Sequence, residues 1–395
     1  MTKLRKSLLI ATIGLGTSIA FAAPNISANN PDPYFNGAGT IKQKDIVVKP
    51  VGIELDVPAW VAMNYRTGEI VSEKNMDVKR EPASLTKIMT AYIVASELKA
   101  GNIHMEDMVT ISRDAHNTGG SKMFVREGDR ISVGNLLTGM IVDSGNDAAI
   151  ALAEYIGGTP DNFTTIMNQT AQAIGMTNTH FANPDGLPGG EQSTTAHDMA
   201  LLARSFIYNF PDIYKIYAQK SFTWEGIKQN NRNRLLYTFD GADGMKTGHT
   251  DAAGYCLVSS AQQDGERYIA VVLGASSEAT REQESSKLLR YALTKFQNVL
   301  LYKANSPVSI SADAISGAKK GQTLTVASSQ NIYKTVPKTY VSYLRQGVEL
   351  SPNLKAPIKK GDTVGNLVIT VNNGEEKIAS IPVVAKNDIS TGGWW

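Results

Sequence analysis

The sequence predicts an α+β fold followed by a small all-β domain. Three observations carry that prediction. Strand-like runs stand before and after a long helical block, so the outer strands are free to share one sheet. The 395 residues exceed a usual single domain and make two domains the expectation. From Val308 onward, short apolar stretches recur between Gly and Asn punctuation, the pattern of a sandwich.

The elements follow in order. Residues 1–22 read as an export signal: Lys3, Arg5 and Lys6 precede an apolar or small stretch from Leu8 to Ile19, and Ala20-Phe21-Ala22 has the form of a cleavage site. A mature chain starting at Ala23 in the periplasm is expected. Losing three basic residues takes the formal charge from +2 to −1, which leaves no electrostatic footprint for nucleic acid. Residues 23–45, rich in Asn, Pro, Gly and Ala, read as a flexible arm. Ala59–Tyr65 is strand-like, Arg66-Thr67-Gly68-Glu69 a hairpin turn, and Leu85–Glu97 a helix. Helices are expected at Val133–Ile141, Asp147–Ile156 and Asn162–Ile174. Thr195-Ala196-His197-Asp198 is a capping-box pattern opening a helix to about Tyr208. Asn183–Gly190 is a turn-rich loop. Strands are expected at Ser221–Ile227, Gly254–Ala261 and Tyr268–Ala275, then a helix from Thr280 to about Phe296. The first domain spans 46–298. Residues 301–386 form the β domain, with apolar stretches at Leu324–Val326, Tyr340–Leu344, Val364–Val371 and Ile378–Val384. The tail, 387–395, ends in Trp394 and Trp395, a pair suited to weak membrane-surface contact but too short to anchor. The single cysteine, Cys256, lies in a strand-like run and reads as a buried structural thiol.

Three short motifs carry chemistry: Ser84-Leu85-Thr86-Lys87, Ser144-Gly145-Asn146 and Lys246-Thr247-Gly248. Residues i and i+3 at a helix start share a face, so the Lys87 amine can reach the Ser84 hydroxyl and activate it, provided burial or a neighbouring cation such as Lys246 lowers its pKa. The helix N-terminus adds donors for a developing oxyanion. Ser144 offers a proton relay and Asn146 an amide to hold a peptide group and the Lys87 amine. Lys246 and Thr247 offer a cation and a hydroxyl to a terminal carboxylate, and Gly248 permits close backbone approach. Each motif alone also reads blandly, as a helix cap, an interhelical loop or the start of a strand. S-x-x-K recurs at Ser96–Lys99 and Ser316–Lys319, so the weight lies in order and spacing. The set is that of serine acyl-transfer sites using lysine as base.

With their flanks the motifs become specific. Glu81–Thr90, Asp143–Ala148 and Asp243–Tyr255 closely resemble the corresponding regions of low-molecular-mass penicillin-binding proteins, the D-alanyl-D-alanine carboxypeptidases. The resemblance covers roughly residues 50–297, and the β-rich region is similar to the family's second domain. It implies a penicillin-binding-protein/β-lactamase-like serine peptidase fold, a peptidoglycan stem peptide as substrate, β-lactams as covalent inhibitors, and no cofactor or metal. It implies that Ser84 is acylated by the penultimate D-alanine carbonyl and that Lys87 is the base. Ser144 and Asn146 complete the proton network, which Lys246 tunes while binding substrate. The N–H groups of Ser84 and His249 form the oxyanion hole. Arg281 engages the substrate's terminal carboxylate, and Arg232 matches another substrate-binding arginine of the site. The family's usual C-terminal amphipathic helix has no counterpart before Trp395, which leaves peripheral inner-membrane association open. The runner-up is a class A-like β-lactamase, but no Glu-x-x-Leu-Asn element stands between the second and third motifs. A non-catalytic wall-binding protein would have no evident use for an activated serine. A Ser-His-Asp hydrolase lacks its Gly-x-Ser-x-Gly elbow, and a zinc peptidase its His-Glu-x-x-His.

Overall fold

The structure is a computed structural model that describes residues 51–371 and 376–393. The expected export signal, the N-terminal arm and the terminal tryptophan pair lie outside the described residues. The chain divides into two compact units, one of Gly52–Thr294 and one containing Lys295–Trp395.

In chain order the first unit comprises β1 (Ala59–Asn64), β2 (Ile70–Lys74), α1 (Thr86–Ala100), β3 (Met108–Thr110), α2 (Arg113–Asn117), β4 (Arg130–Ser132), α3 (Val133–Val142), α4 (Asn146–Gly157), α5 (Pro160–Ala173), α6 (Ala196–Asn209), α7 (Pro211–Tyr214), β5 (Ser221–Trp224), β6 (Ile227–Asn230), α8 (Leu235–Thr238), β7 (Ala242–Thr250), β8 (Gly254–Gln263), β9 (Glu266–Ala275) and α9 (Glu278–Lys295). Strands from both ends of the unit form one antiparallel sheet in the order β2-β1-β9-β8-β7. The apolar run of β1 is buried along its whole length because β2 and β9 flank it and the core covers it.

The helices follow from their ends. Ser132, Thr159 and Thr195 cap α3, α5 and α6, each accepting a backbone N–H three residues on, and Pro160 stands at the first position of α5. Helix α1 is buried continuously from Thr86 to Ala95, as expected of a helix that is apolar on most sides and runs through the core, and Gly101 ends it at φ 75°. The capping box of α6 closes only by half. Thr195 accepts from the Asp198 N–H, but the Asp198 carboxylate turns to the Asn178 N–H and the Thr179 hydroxyl and pins the neighbouring segment instead.

Two expected strands differ. Ser221–Ile227 is not one strand: Glu225 and Gly226, at φ 48° and 80°, turn the chain into the β5–β6 hairpin. Tyr340–Leu344 is not a strand at all. Residues Lys338–Tyr343 wind into a 3-10 helix after Pro337, which buries Tyr340 and Val341 together.

The second unit comprises β10 (Phe296–Tyr302), β11 (Val308–Ser311), β12 (Thr323–Ala327), β13 (Ile332–Pro337), β14 (Arg345–Leu350), β15 (Thr363–Val371) and β16 (Glu376–Ala385). Strands β10 and β13 pair, and the others form a sheet in the order β11-β12-β16-β15-β14. Leu301 and Val336 from the first pair share a core with Leu324, Leu367 and Val383 from the larger sheet, so the unit is a sandwich.

Candidate active site

Ser84 lies in a 3-10 turn, Ala83–Leu85, that runs directly into α1. Ala83 sits at φ 48°, a strained value for a residue with a Cβ. One turn on, Lys87 is 1% exposed and its Nζ donates to Ser84 Oγ at 2.8 Å. It also donates to the Asp185 carbonyl at 2.7 Å.

That carbonyl belongs to the turn-rich loop, which is built to present it. Asn183 accepts the Gly186 N–H and donates to Leu187 O, while the Thr90 hydroxyl holds Pro184 O at 2.6 Å. Gly186, at φ 81°, passes so close to the nucleophile turn that no side chain fits there.

The second motif joins α3 to α4. Ser144 adopts φ 61°, and the Ser144 hydroxyl accepts from Lys246 Nζ at 2.9 Å across 102 residues of chain. Register explains how a lysine comes to be buried there. Lys246 pairs with Val258, Val258 with Val271, and Val271 with Val61, so the lysine occupies the last place in a row of valines. Those valines belong to the same core as Ile88 and Met89 of α1.

Asn146 does not hold the Lys87 amine. Its amide nitrogen donates to Gly119 O at 2.8 Å, its backbone N–H to Ser121 O, and its Oδ1 is buried without a partner among the described residues. Arg232 is exposed and donates to Ser121 Oγ at 2.7 Å. Asp147 anchors the following segment, its two oxygens accepting the N–H groups of Met123, Phe124, Val125 and Ala148.

On the third motif, Thr247 is buried and its carbonyl accepts from Lys246 Nζ. Gly248 passes the nucleophile turn closely: a Cβ there would fall 3.2 Å from both the Leu85 nitrogen and the Pro82 oxygen. His249 is exposed and stacks on Tyr255, with 4.0 Å between ring centroids. Arg281, from α9, is buried over Tyr255 with its Nε unpartnered among the described residues. The motif residues thus form two amine–hydroxyl pairs beside two arginines.

Burial brings Lys87 down to about 8, with Asp185 opposing and the Arg232 charge assisting. Arg232 thus joins the expected Lys246, whose repulsion with Lys87 is mutual. Lys246 itself is lowered well below its ordinary value, first by burial and then by the charges of Lys87, Arg232 and Arg281. Two buried amines so placed resist holding two protons together. Lys87 consequently reaches the neutral, basic state near physiological pH. Burial pushes Cys256 up to about 11, so its thiol is inert.

Reading motifs alone missed the Asp185 carbonyl, the Gly119–Ser121 backbone and Asp143. Asn183-Pro184-Asp185-Gly186 and Gly119-Gly120-Ser121 were the available signals, as turn chemistry that fixes backbone carbonyls.

Both units match known protein families. Residues 44–277 match the family described as D-alanyl-D-alanine carboxypeptidase, and residues 296–391 match the penicillin-binding protein 5 C-terminal domain. The Escherichia coli D-alanyl-D-alanine carboxypeptidase DacC is 40% identical over 349 residues, 86% of each chain. The crystal structure of DacD from Francisella tularensis is 63% identical with a TM-score of 0.86, covering 91% of this chain and 100% of that one. Penicillin-binding protein D2 of Listeria monocytogenes in its ampicillin-bound form is 29% identical with a TM-score of 0.57, covering 61% of this chain and 98% of its own.

Proposed function

Because the chain belongs to the family of D-alanyl-D-alanine carboxypeptidases, serine peptidases of peptidoglycan metabolism, we propose that Ser84 and Lys87 remove the terminal D-alanine of stem peptides through an acyl-serine. The observation that carries this reading is the 2.8 Å contact between Lys87 Nζ and Ser84 Oγ. With the Asp185 carbonyl holding one N–H of neutral Lys87, the amine lone pair is left for the Ser84 proton. The Ser84 oxygen attacks the penultimate carbonyl carbon as Lys87 takes that proton. The oxyanion lies toward the N–H groups of Ser84 and His249. The C–N bond then breaks, and the D-alanine amine takes a proton from Ser144, which is made good through Lys246 by the proton Lys87 had accepted, so that Lys87 is neutral again. Water next gives a proton to Lys87 and its hydroxyl to the acyl carbon, and Ser84 leaves protonated. Arg281, Arg232, Thr247 and Gly248 bind the carboxylate end of the substrate. The buried, unpaired Asn146 Oδ1 supplies an acceptor for a substrate N–H.

The same oxygen would open a β-lactam ring, a reading supported by the ampicillin-bound relative. Mass spectrometry of the protein mixed with a pentapeptide and with penicillin tests both. Released D-alanine and a penicilloyl adduct on Ser84 are expected. An adduct that persists in Ser84→Ala would overturn the assignment.

We take the catalytic domain as 46–298 and the sandwich as 301–386, in line with the two compact units. We place the protein in the periplasm on its N-terminal sequence, with a mature N-terminus at Ala23 for Edman sequencing to check. Among the described residues no helix is long and apolar enough to cross a membrane. Weak membrane-surface contact is supported by charge: residues 52–294 carry a net −8, and residues 295–395 a net +6. Lys319 and Lys360 stand on turns whose N–H groups bond Ser390 O and Asp388 Oδ1, beside the C-terminal segment. Sedimentation with anionic but not neutral vesicles, reversed by salt, is the expected result.

A further inference from the structure

Asp143 immediately precedes Ser144 and is 2% exposed, yet neither of its carboxyl oxygens has a hydrogen-bond partner among the described residues. A buried carboxyl in that condition needs an explanation. The charged groups acting on it come from two neighbouring elements: Arg232, from the segment after β6, and Asp147, from the first turn of α4. Both are already engaged, Arg232 with Ser121 Oγ and Asp147 with four backbone N–H groups. Lys87 and Lys246 are engaged with Ser84, Asp185 O, Ser144 and Thr247 O. Asp147 thus has four backbone donors on its carboxyl oxygens and Asp143 has none, so the two nearby carboxyls sit in opposite surroundings.

We propose that Asp143 is a positioning residue for substrate capture that acts through Arg232. As a neutral carboxyl it leaves the guanidinium charge whole for the substrate's terminal carboxylate; as an anion it draws part of that charge to itself. The idea rests on the carboxylate-binding reading of Arg232 given above. Burial pushes Asp143 up to about 7, Arg232 opposing and Asp147 assisting, so the change of state falls near neutrality. Below that value the carboxyl is protonated and capture is strongest. Above it capture weakens, while the neutral fraction of Lys87 is still growing. Binding and chemistry therefore respond to pH in opposite directions.

The test is KM and kcat for a D-alanyl-D-alanine peptide and for its C-terminal amide from pH 5.5 to 8.5, in the full chain, Asp143→Asn and Arg232→Gln. The free-acid KM of the wild type should rise about fivefold through neutrality, the size of a solvent-screened charge coupling. The amide KM should stay flat. Asp143→Asn should abolish the rise and keep the alkaline limb of kcat, a split that a merely structural role would not produce. Arg232→Gln should raise the free-acid KM at every pH and remove the inflection. A free-acid KM unmoved in Arg232→Gln sinks the reading of Arg232 and the proposal with it. A raised KM there, with the inflection intact in Asp143→Asn, sinks the proposal alone. Should Asp143→Asn fail to fold, the wild-type profile decides: a free-acid KM without an inflection near neutrality overturns the proposal.

Discussion

Gly186 lies against the nucleophile turn so closely that a Cβ placed on it would fall 1.9 Å from the Ala83 carbonyl oxygen. Its φ of 81° adds a second reason for glycine. The contact holds the Asp185 carbonyl over Lys87 and the strained Ala83 in place behind Ser84. Gly186→Ala must push the loop and the turn apart. A loss of roughly 2–4 kcal/mol in urea unfolding is expected, with penicillin acylation slowed at least tenfold. A variant acylating at the wild-type rate would remove the loop from the site's machinery.

The second prediction concerns pH. With Lys87 at about 8, roughly a tenth of it is neutral at pH 7 and half at pH 8. Since the neutral amine is the base, acylation by penicillin should rise about fivefold between those pH values and level off above pH 9 or so. Lys87→Arg, which cannot lose its proton, should show no such limb and almost no acylation. Stopped-flow rates against pH decide it, and a profile flat from pH 6 to 9 would contradict the role.

The same burial costs stability, and the sign is fixed. Lys87 stands at about 8 in the folded chain against an ordinary 10.5, so between those values the unfolded chain binds more protons and stability rises with pH. Below about pH 8 the fold bears the whole cost, on the order of 3 kcal/mol. Lys87→Met removes it but leaves the Asp185 carbonyl unpaired, which costs about 1 kcal/mol. The inactive variant should therefore be about 2 kcal/mol more stable than the wild type at pH 7, an advantage that vanishes by about pH 10. Denaturation at both pH values reads this directly, and equal stability at pH 7 would argue against a buried charge.

What the sequence made legible, and what it hid, divides along one physical line. Side-chain chemistry at short spacing was readable: Ser84 and Lys87 sit one helical turn apart wherever the helix goes. The Lys246–Ser144 pair was readable only as motif order. Its geometry depends on a four-strand register, from Lys246 through Val258 and Val271 to Val61, that local pattern does not encode. Groups supplied by the backbone were hidden. The Asp185 carbonyl has no residue-type signature, and its loop reads as ordinary turn chemistry. Asn146 has a side chain of the type that would suit a partner of Lys87, but its amide nitrogen donates to Gly119 O instead. In the second unit, Tyr340 and Val341 have strand propensity, and packing after Pro337 made them helical.

Asp147 supplies the fourth prediction. Its buried carboxylate gathers the N–H groups of three successive residues, Met123 to Val125, and so sets the course of the segment that carries Ser121. Asp147→Ala strands those donors and should cost roughly 3–5 kcal/mol. Asp147→Asn keeps one acceptor oxygen and should cost about half as much. If the released segment also loosens Ser121 beneath Arg232, substrate KM should rise in the asparagine variant before kcat falls. Thermal unfolding with steady-state kinetics on the folded variant separates the two effects, and a fully stable Asp147→Ala would contradict the anchoring role.

Arg281 offers the sharpest separation of binding from chemistry. It is buried, stacked over Tyr255, and retains an unpartnered Nε although Glu282 stands 3.7 Å from its guanidinium. A desolvated donor left open beside the third motif suits a carboxylate that arrives with the substrate. Its charge also helps to lower Lys246, but it is the last of four causes, so the proton network should tolerate its loss. Arg281→Gln is expected to raise KM for a peptide ending in a free carboxylate roughly thirtyfold, the cost of about 2 kcal/mol for one charge-assisted pair. Its kcat should fall less than threefold or so by the same account. A C-terminally amidated peptide, which never used the guanidinium, should not distinguish the variant from the wild type. Should both peptides lose affinity equally, Arg281 would be holding Tyr255 and His249 in place, and the carboxylate would have to be sought at Arg232 and Thr247.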